Sequence, residues 1–490
     1  MKLHITFLLL FGLVLSTLAQ DRKLSADTSV VTTNEVTVKG KRFPYTATTG
    51  MQPVWDKDGK VIASLYYTYY ERSDIKDRAS RPLMISFNGG PGSSSAWMHL
   101  GYTGPRVLLI DPEGYPVQPY GFKENPNTVL DVADIVYVNP VNVGYSRVLD
   151  EKTPRETFFG VNADIKYLAG WISTFVTRKG RWQSPKYLIG ESYGTTRVSG
   201  LALELQDQQW LYLNGVILVS PTGLGIDRSG PVDAANRLPY FAAAAWYHKV
   251  LPADLQKKDL TEVLAEVEPY TTNELLPVIA MGGFADPQKK KEAAAKMARY
   301  SGLSETFILQ NNLNVSTQAF WKELLRDKGF IIGRLDSRYL GIDRMDAGEF
   351  PDYNPESSSW SHAFAPAINY YIREQLKFKT DVTYNVYGPV HPWDRSNDHS
   401  GENLRQAMAQ NPYLKVMIQS GYFDGATTYF NAKYSMWNLD PSGKMKDRLS
   451  WKGYRSGHMM YLRAEDSITA NDDIRDFINN SLSKGKPAKY

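Results

Sequence analysis

The segment Gly190-Glu191-Ser192-Tyr193-Gly194 constrains the fold of this chain more than any other stretch. It fits the pattern G-x-S-x-G, in which a serine occupies a sharp turn from a strand into a helix and the flanking glycines leave room for that turn. The apolar residues Tyr187-Leu188-Ile189 come directly before it, and a helix-compatible segment follows. The pattern therefore predicts Ser192 as a nucleophile at the end of a buried strand.

Short apolar runs alternate with helical patterns on both sides of this turn. Such alternation is typical of a mostly parallel sheet that is covered by helices on both faces. Together with the serine turn, it predicts an α/β-hydrolase fold with a mostly parallel central sheet. The predicted buried strands are 83–87, 135–138, 187–189, 216–219 and 414–418, and the predicted helices include 158–178 and 466–483.

The alternation divides the chain into a core and an insertion. Residues 44–225 and 357–490 are predicted to form the two parts of the hydrolase core. Residues 226–356 are rich in Ala, Leu, Glu and Lys with helical periodicity, which predicts a mainly helical cap that ends at a polar break over 355–359. Residues 20–43 are polar and are expected to be loosely structured, whereas an Asp-Gly turn at 58–59 predicts a hairpin over 46–70.

The N-terminus is expected to be a cleaved signal peptide over residues 1–19. Lys2 precedes a nearly unbroken apolar run over 5–15, and Thr17 and Ala19 are the small residues of a cleavage site. The alternative is a membrane anchor, but the run is shorter than the roughly 20 residues that span a bilayer. The expected mature protein begins at Gln20, carries no membrane anchor, and is secreted or periplasmic.

The composition excludes several classes of site. The chain contains no cysteine, so it has no disulfide, no cysteine nucleophile and no thiolate metal site. An exported protein without disulfides favours a bacterial periplasm or exterior. The net charge is +4, or +3 without Lys2, and gives no support for binding nucleic acid. The spacing of His391, Asp394 and His399 matches no regular set of metal ligands and indicates a surface loop, so no metal or other cofactor is expected.

A second glycine-rich segment, Asn88-Gly89-Gly90-Pro91-Gly92, follows the predicted strand 83–87. Backbone N–H groups that are not covered by side chains can stabilise a developing oxyanion. In an α/β-hydrolase this loop supplies one donor and the residue after the nucleophile supplies the other. The sequence therefore predicts an oxyanion hole made by Gly90 and Tyr193, with Gly89 as the alternative donor to Gly90.

A nucleophilic serine needs a base, and the base needs an orienting carboxylate. In this fold the chain order is Ser, then Asp or Glu, then His. Asp424 follows the predicted strand 414–418, and His458 is the only histidine after it. The order predicts a catalytic triad of Ser192, Asp424 and His458.

These segments together resemble the serine carboxypeptidase family, which includes cathepsin A and carboxypeptidase Y. The segment FNGGPGSSS at 87–95 is similar to the family's oxyanion block, GESYG at 190–194 to its nucleophile block, and the run that begins at Gly457 to its histidine block. A weaker likeness covers YVNPVNVGYSR at 137–147. The resemblance spans about residues 45–480 and places the helical insertion where the family carries its cap.

The resemblance implies removal of single residues from peptide C-termini through an acyl-enzyme on Ser192. It also implies that Asn88 and Glu191 bind the terminal carboxylate of the peptide, and that Gly89 belongs to the substrate-binding residues with them. Two carboxylates share a site only if one of them is protonated, so we expect Glu191 to be protonated and activity to be best at acidic pH. One departure concerns this site: many members have Glu two residues before a Gly-Pro pair, where this chain has Tyr102.

Two other functions remain open from the sequence. An esterase or acyltransferase would use the same triad on another acyl donor. A non-catalytic binding module is the more remote alternative, because such proteins typically lose a triad residue and this chain keeps all three. The expected partners are peptides with a free C-terminus, and the sequence does not indicate an oligomeric state.

Overall fold

The computed structural model describes residues 24–488, so the predicted signal peptide lies outside the described residues. Within that range, no helix is both long and apolar enough to cross a membrane. The strands are β1 (Thr28–Val38), β2 (Lys41–Trp55), β3 (Val61–Arg72), β4 (Leu83–Phe87), β5 (Arg106–Leu108), β6 (Phe122–Glu124), β7 (Asp134–Val138), β8 (Arg147–Val148), β9 (Lys186–Glu191), β10 (Gly215–Val219), β11 (Ile331–Ile332), β12 (Leu340–Gly341), β13 (Lys415–Gly421) and β14 (Leu449–Tyr454).

Helices follow or connect most of these strands. They are α1 (Ala96–Gly101), α2 (Val161–Lys179), α3 (Tyr193–Gln209), α4 (Pro231–Asn236), α5 (Leu238–Tyr247), α6 (Ala253–Gln256), α7 (Leu260–Tyr270), α8 (Leu276–Ala280), α9 (Pro287–Ser301), α10 (Glu305–Gln310), α11 (Thr317–Glu323), α12 (Pro355–Tyr370), α13 (Ser400–Gln410), α14 (Tyr429–Leu439) and α15 (Ala464–Ser481).

One large sheet organises the described residues, with the strand order β1-β2-β3-β7-β4-β9-β10-β13-β14 and β8 paired to β3. The pairs from β7 to β14 are parallel, whereas β1, β2, β3 and β7 pair antiparallel. The α/β-hydrolase fold and its mostly parallel sheet are therefore confirmed. Because the carboxyl ends of parallel strands lie at one edge of the sheet, the loops after β4, β9, β13 and β14 meet there.

The sheet separates two apolar cores. Successive residues of a strand point to opposite faces, and in β10 Val216 and Leu218 enter the core under α2 and α3, whereas Ile217 and Val219 enter the core under α12 and α15. Both faces of the central strands are buried, which explains why these strands appear in the sequence as continuous apolar runs rather than alternating ones.

The expectation that residues 20–43 are loosely structured is wrong for most of that segment. Thr28–Val38 forms an eleven-residue edge strand that pairs with β2 along its whole length, from Thr28 opposite Met51 to Val38 opposite Lys41. The segment is polar but rich in Thr and Val, and these β-branched residues favour strands. The predicted hairpin over 46–70 is confirmed, with β2 and β3 joined across the Asp56–Lys60 turn.

The predicted cap contains α4 to α11 and the short strands β11 and β12, and has an apolar core of its own in which Phe241 stacks on Phe320 at 4.0 Å. Its predicted end at a polar break is wrong, because 355–359 is the first part of α12. Pro355 occupies the first turn, where a proline costs no hydrogen bond. Phe364 of α12 then packs on Trp97 of α1 at 4.7 Å, so α12 belongs to the sheet core.

Candidate active site

Ser192 lies on a strained turn between β9 and α3. Its backbone has φ 57° and ψ −125°, a combination that residues other than glycine rarely adopt. The two flanking glycines are required by space, because a Cβ on Gly190 would lie 2.2 Å from the carbonyl oxygen of Gly194, and a Cβ on Gly194 would lie 2.8 Å from that of Phe87. The turn therefore raises the serine above the end of the sheet, as the G-x-S-x-G pattern predicts.

Asp424 and His458 meet although they come from different loops. Asp424 follows β13 and His458 follows β14, and Nδ1 of His458 lies 2.6 Å from Oδ2 of Asp424. The other carboxylate oxygen of Asp424 accepts the backbone N–H groups of Ala426 and Thr427. The aspartate is therefore held in place from both sides and can fix the orientation of the imidazole.

The backbone of His458 is also fixed. Its N–H donates to the carbonyl oxygen of Leu335 at 2.6 Å, and the hydroxyl of Ser220 donates to its carbonyl oxygen at 2.7 Å. Burial lowers the pKa of the imidazole, but the charge and hydrogen bond of Asp424 outweigh burial, so the net pKa is raised above its ordinary value. Asp424 thus stabilises the protonated form that a general base passes through.

The glycine loop after β4 lies directly against the serine turn. A Cβ on Gly89 would lie 2.6 Å from the backbone nitrogen of Tyr193 and 2.9 Å from the Cβ of Ser192. Gly90 has φ 103°, which favours glycine. The structure therefore brings Gly89, Gly90 and Tyr193 to the predicted nucleophile, and a side chain at position 89 would prevent this approach.

A buried ion pair holds the glycine loop from below. Arg197 of α3 donates from Nε to Asp164 at 2.6 Å, and both side chains are fully buried. The same guanidinium donates to the carbonyl oxygens of Asn88 at 2.7 Å and Pro91 at 3.3 Å. Arg197 is therefore a positioning residue for the loop that carries the predicted oxyanion donor Gly90.

Asn88 and Glu191 lie together beside the nucleophile. The Asn88 Nδ2 group donates to Oε2 of Glu191, and its oxygen accepts the N–H of Met98 at 3.1 Å, which fixes the orientation of the amide. The hydroxyl of Tyr461 donates to the other oxygen of Glu191 at 2.7 Å. The carboxyl group is thus buried and has a neutral donor on each oxygen.

This environment favours the protonated form of Glu191. Burial raises the pKa of Glu191 to about 7, although His458 and the hydrogen bonds from Tyr461 and Asn88 act in the opposite direction. Desolvation disfavours a charged carboxylate that has no cation in contact with it. At mildly acidic pH the group is therefore neutral and able to donate a hydrogen bond.

Two cavities meet at Ser192 and His458. The first, here called the Glu191 cavity, has a volume of about 250 Å³ and is lined by Asn88, Glu191 and a wall of Trp97, Trp360, Tyr387 and Met459. The second, here called the Arg228 cavity, has a volume of about 520 Å³, and its lining includes residues 222–226, Arg228, Arg334, Arg395, Asp398 and 426–427. Ser192 and His458 therefore border two separate spaces that a substrate could occupy.

Sequence reasoning missed three residues that the structure adds to the site. Tyr461 stands three positions after His458 and contacts Glu191, and Arg197 stands five positions after Ser192 and holds the glycine loop. The hydroxyl of Thr427 lies 2.6 Å from Oδ2 of Asp424 and 3.2 Å from Nδ1 of His458. Each is close in sequence to a predicted site residue, but no spacing rule distinguishes it from its neighbours.

The segment that contains His391 and His399 has other contacts. Asp394 accepts from the backbone and hydroxyl of Ser396, and Asp398 accepts from the backbone of Ser400, as is common for aspartates in turns. Over residues 24–488 there is no group of three or more His, Cys, Asp or Glu side chains that could hold a metal ion.

Comparison with known proteins supports the assignment to a family. The model of the family described as serine carboxypeptidase matches residues 41–460. Serine carboxypeptidase-like 38 of Arabidopsis thaliana is 30% identical over 188 residues, which are 35% of this chain and 34% of that protein. The retinoid-inducible serine carboxypeptidase of Homo sapiens is 29% identical over 160 residues, 31% of each chain. The chain thus spans about a third of the length of these curated relatives.

A solved structure resembles the whole fold. Kex1Δp, a prohormone-processing carboxypeptidase from Saccharomyces cerevisiae, superimposes with a TM-score of 0.54 at 14% identity and covers 89% of this chain and 91% of its own. At this identity the likeness concerns the fold alone.

Proposed function

This chain belongs to the serine carboxypeptidase family, and we propose that it releases single residues from the free C-termini of peptides with Ser192 as the nucleophile. The observation that carries the proposal is the buried pair of Asn88 and Glu191, which lies in the same cavity as Ser192 and His458. An endopeptidase or a general esterase has no need for a neutral carboxyl group at that position, whereas a substrate carboxylate requires hydrogen-bond donors there.

The proposed reaction passes through an acyl-enzyme. His458 takes the proton of the Ser192 hydroxyl while the serine oxygen attacks the last peptide carbonyl. The oxyanion is stabilised by the N–H groups of Gly90 and Tyr193. The C–N bond then breaks, the imidazolium gives its proton to the leaving amine, and the free amino acid departs. Water attacks the ester, with His458 again as base, and restores the serine.

The protonation of Glu191 is coupled to that of His458. The negative charge of Glu191 raises the pKa of His458, and the positive charge of His458 lowers the pKa of Glu191. Two forms with the same net charge therefore compete, with the proton on either group. A substrate carboxylate beside Glu191 favours the proton on Glu191, because two carboxylates repel. Substrate binding thereby leaves His458 neutral, which is the form that can act as a base.

The leaving residue is proposed to be apolar or aromatic. Trp97, Trp360, Tyr387 and Met459 line the Glu191 cavity, which would hold the residue that carries the free carboxylate. Aromatic walls offer a large apolar contact area for such a side chain.

We also propose that the protein is exported after cleavage before Gln20. The support is the sequence of residues 1–19, with one lysine, an apolar run and a small-residue cleavage site. N-terminal sequencing of the protein recovered from outside the producing cell's cytoplasm tests this. A mature N-terminus at or next to Gln20 is expected, and recovery only in the cytoplasm with Met1 retained would contradict it.

The activity is tested with an N-blocked dipeptide, its C-terminally amidated version and a simple aryl ester, each at pH 5 and pH 7.5. Release of the amino acid from the free acid only, faster at pH 5 and absent in Ser192→Ala, is expected. Cleavage of the ester alone, still dependent on Ser192, would move the assignment to an esterase or acyltransferase. No Ser192-dependent reaction with any substrate would favour a non-catalytic module.

A further inference from the structure

The Arg228 cavity is strongly basic. Three arginines, Arg228, Arg334 and Arg395, line it, and Asp398 is the single acidic residue among its lining residues. Asp398 already uses one carboxylate oxygen to accept the N–H of Ser400 in a turn. The cavity therefore has an excess of positive charge next to Ser192, although the chain as a whole is close to neutral.

None of these arginines forms an ion pair within the part of the chain that the structure describes, although the charge of Arg334 acts on the buried Glu356. No ion pair of residues 24–488 includes Arg228, Arg334 or Arg395. The charge of Asp233 acts on Arg228, but Asp233 is itself ion-paired with Arg237. Most other arginines in the same range do form ion pairs with carboxylates. The three arginines of the cavity therefore differ from them in having no paired carboxylate.

Arg228 has an unmatched donor inside the cavity wall. Its Nη1 atom is buried and has no hydrogen-bond partner among the described residues. Its guanidinium lies over Gly223, where a Cβ would come within 3.5 Å of Cζ. A buried donor without a partner costs free energy, and a planar guanidinium binds a carboxylate through two parallel hydrogen bonds. The arrangement is suited to a carboxylate ligand.

The position of the two cavities decides which part of a peptide would meet these arginines. Asn88 and Glu191 line the Glu191 cavity and are absent from the wall of the Arg228 cavity. If the terminal carboxylate binds at Glu191, the leaving residue occupies the Glu191 cavity. The residue before the scissile bond then extends from Ser192 into the Arg228 cavity. Its volume of about 520 Å³ accommodates a Glu side chain.

We infer that the enzyme prefers peptides whose penultimate residue is Asp or Glu, with Arg228 and Arg334 as the residues that recognise the side-chain carboxylate. The inference rests on the proposed carboxypeptidase function and adds the class of acyl residue to it. Arg228 is the inner, partly buried donor, Arg334 is exposed and borders both cavities, and Arg395 is exposed at the outer edge.

The test compares N-blocked dipeptides of the form Glu-Phe, Gln-Phe and Lys-Phe at pH 6, where the Glu side chain is ionised. Gln matches Glu in shape and differs in charge, so the ratio of their kcat/KM values isolates the carboxylate. We expect a ratio of about tenfold or more in favour of Glu, since a charge-assisted hydrogen bond is roughly twice as strong as a neutral one. Lys-Phe is expected to be the poorest substrate.

Two variants test the assignment to residues. Arg228→Gln and Arg334→Gln should each reduce the ratio, and the double variant should bring it close to one. Because Arg334 also lowers the pKa of His458, the ratio within each variant is the readout rather than the absolute rate. The matched control is Arg299→Gln, which removes a surface arginine paired with Asp254 in the cap and should leave the ratio unchanged.

The outcomes separate the two proposals. If release depends on Ser192 but Glu-Phe and Gln-Phe react at equal rates, or Lys-Phe is preferred, the inference is overturned and the carboxypeptidase function stands. An unchanged ratio in the double variant would overturn the role of these arginines. Absence of Ser192-dependent release from every dipeptide would overturn the proposed function, and the inference with it.

Discussion

The hydroxyl of Tyr461 lies 2.7 Å from Oε1 of Glu191, and this contact joins two segments that are 270 residues apart. One segment carries Ser192, the proposed nucleophile, and the other carries His458, the proposed base. Asn88 occupies the other oxygen of the same carboxyl group. The protonation of Glu191 is therefore controlled by a few identified contacts, and each of them can be changed separately.

The first prediction concerns pH. Because the pKa of Glu191 is raised to about 7, the group is protonated below that pH and loses its proton above it. For a peptide with a free carboxylate, kcat/KM should therefore fall as pH rises through about 7. Well above that pH the fall should reach roughly tenfold per pH unit. In Glu191→Gln the side chain cannot titrate, so the decline above pH 7 should disappear. The activity of this variant at pH 5 should be lower than that of the wild-type protein.

The control for this prediction is the C-terminally amidated peptide or an aryl ester, which presents no carboxylate to Glu191. Its rate should show no decline above pH 7 in the wild-type protein. An identical alkaline decline in wild-type protein and Glu191→Gln would show that another group is responsible.

The second prediction separates the hydrogen bond of Tyr461 from its packing. The Tyr461 hydroxyl lowers the pKa of Glu191, so Tyr461→Phe should raise that pKa further and move the alkaline decline upward by about one pH unit. Tyr102→Phe is the matched control, because Tyr102 stacks on Tyr461 at 4.6 Å but donates to Gln419. The measurement is the profile of kcat/KM against pH for both variants. The role of the Tyr461 hydroxyl would be contradicted if the alkaline decline moved equally in both variants, or if it moved to lower pH in Tyr461→Phe.

The third prediction concerns Asp424. Replacing it with Asn keeps the shape but removes the charge that stabilises the protonated imidazole, and kcat should fall by about 10⁴-fold with a small change in KM. Asp440→Asn is a suitable control, because Asp440 is also buried and accepts hydrogen bonds only around its own turn. The double variant Ser192→Ala with Asp424→Asn should be no slower than Ser192→Ala alone. A further loss in the double variant would indicate that the two residues do not act as a unit.

The fourth prediction uses two glycines. Gly89→Ala would place a Cβ 2.6 Å from both the carbonyl oxygen of Glu191 and the nitrogen of Tyr193, so the loop must move away from the serine turn. We expect a loss of kcat of about 10²-fold to 10³-fold, as for the loss of an oxyanion donor. Gly170→Ala in α2 is the control, since a Cβ there meets nothing within 4 Å. That change should leave activity intact and stabilise the helix by about 1 kcal/mol. Thermal unfolding and kcat for both variants test this, and unimpaired catalysis in Gly89→Ala would contradict it.

Features that depend on local sequence were predictable. The G-x-S-x-G turn, the buried parallel strands and the hairpin over 46–70 each arise from side chains within a few positions of one another, and the structure contains all of them. The order of Ser192, Asp424 and His458 was also predictable, because the topology of this sheet brings the ends of β9, β13 and β14 to one edge.

The missed elements had ambiguous local signals. Thr28–Val38 is polar enough to resemble a linker, yet its backbone pairs fully with β2. In α12 the proline and serines at 355–359 resemble a break, but they form the first turn of a helix whose apolar side faces α1. The partner of α12 is distant in sequence and invisible to a local pattern, whereas the partner of β1 is the next strand, joined to it by the two-residue turn Lys39-Gly40, in which both residues have positive φ.

The fold class follows from the sequence alone, and so do the proposals of Ser192 as the nucleophile and of the order of the triad, because strand and turn patterns are short-range and the sheet topology then fixes where their ends meet. Three further properties emerge only in the folded protein: the raised pKa of Glu191, the support of the glycine loop by Arg197, and the grouping of Arg228, Arg334 and Arg395 in one cavity. These properties depend on burial and on the distances between charges, and both are set by how distant segments pack.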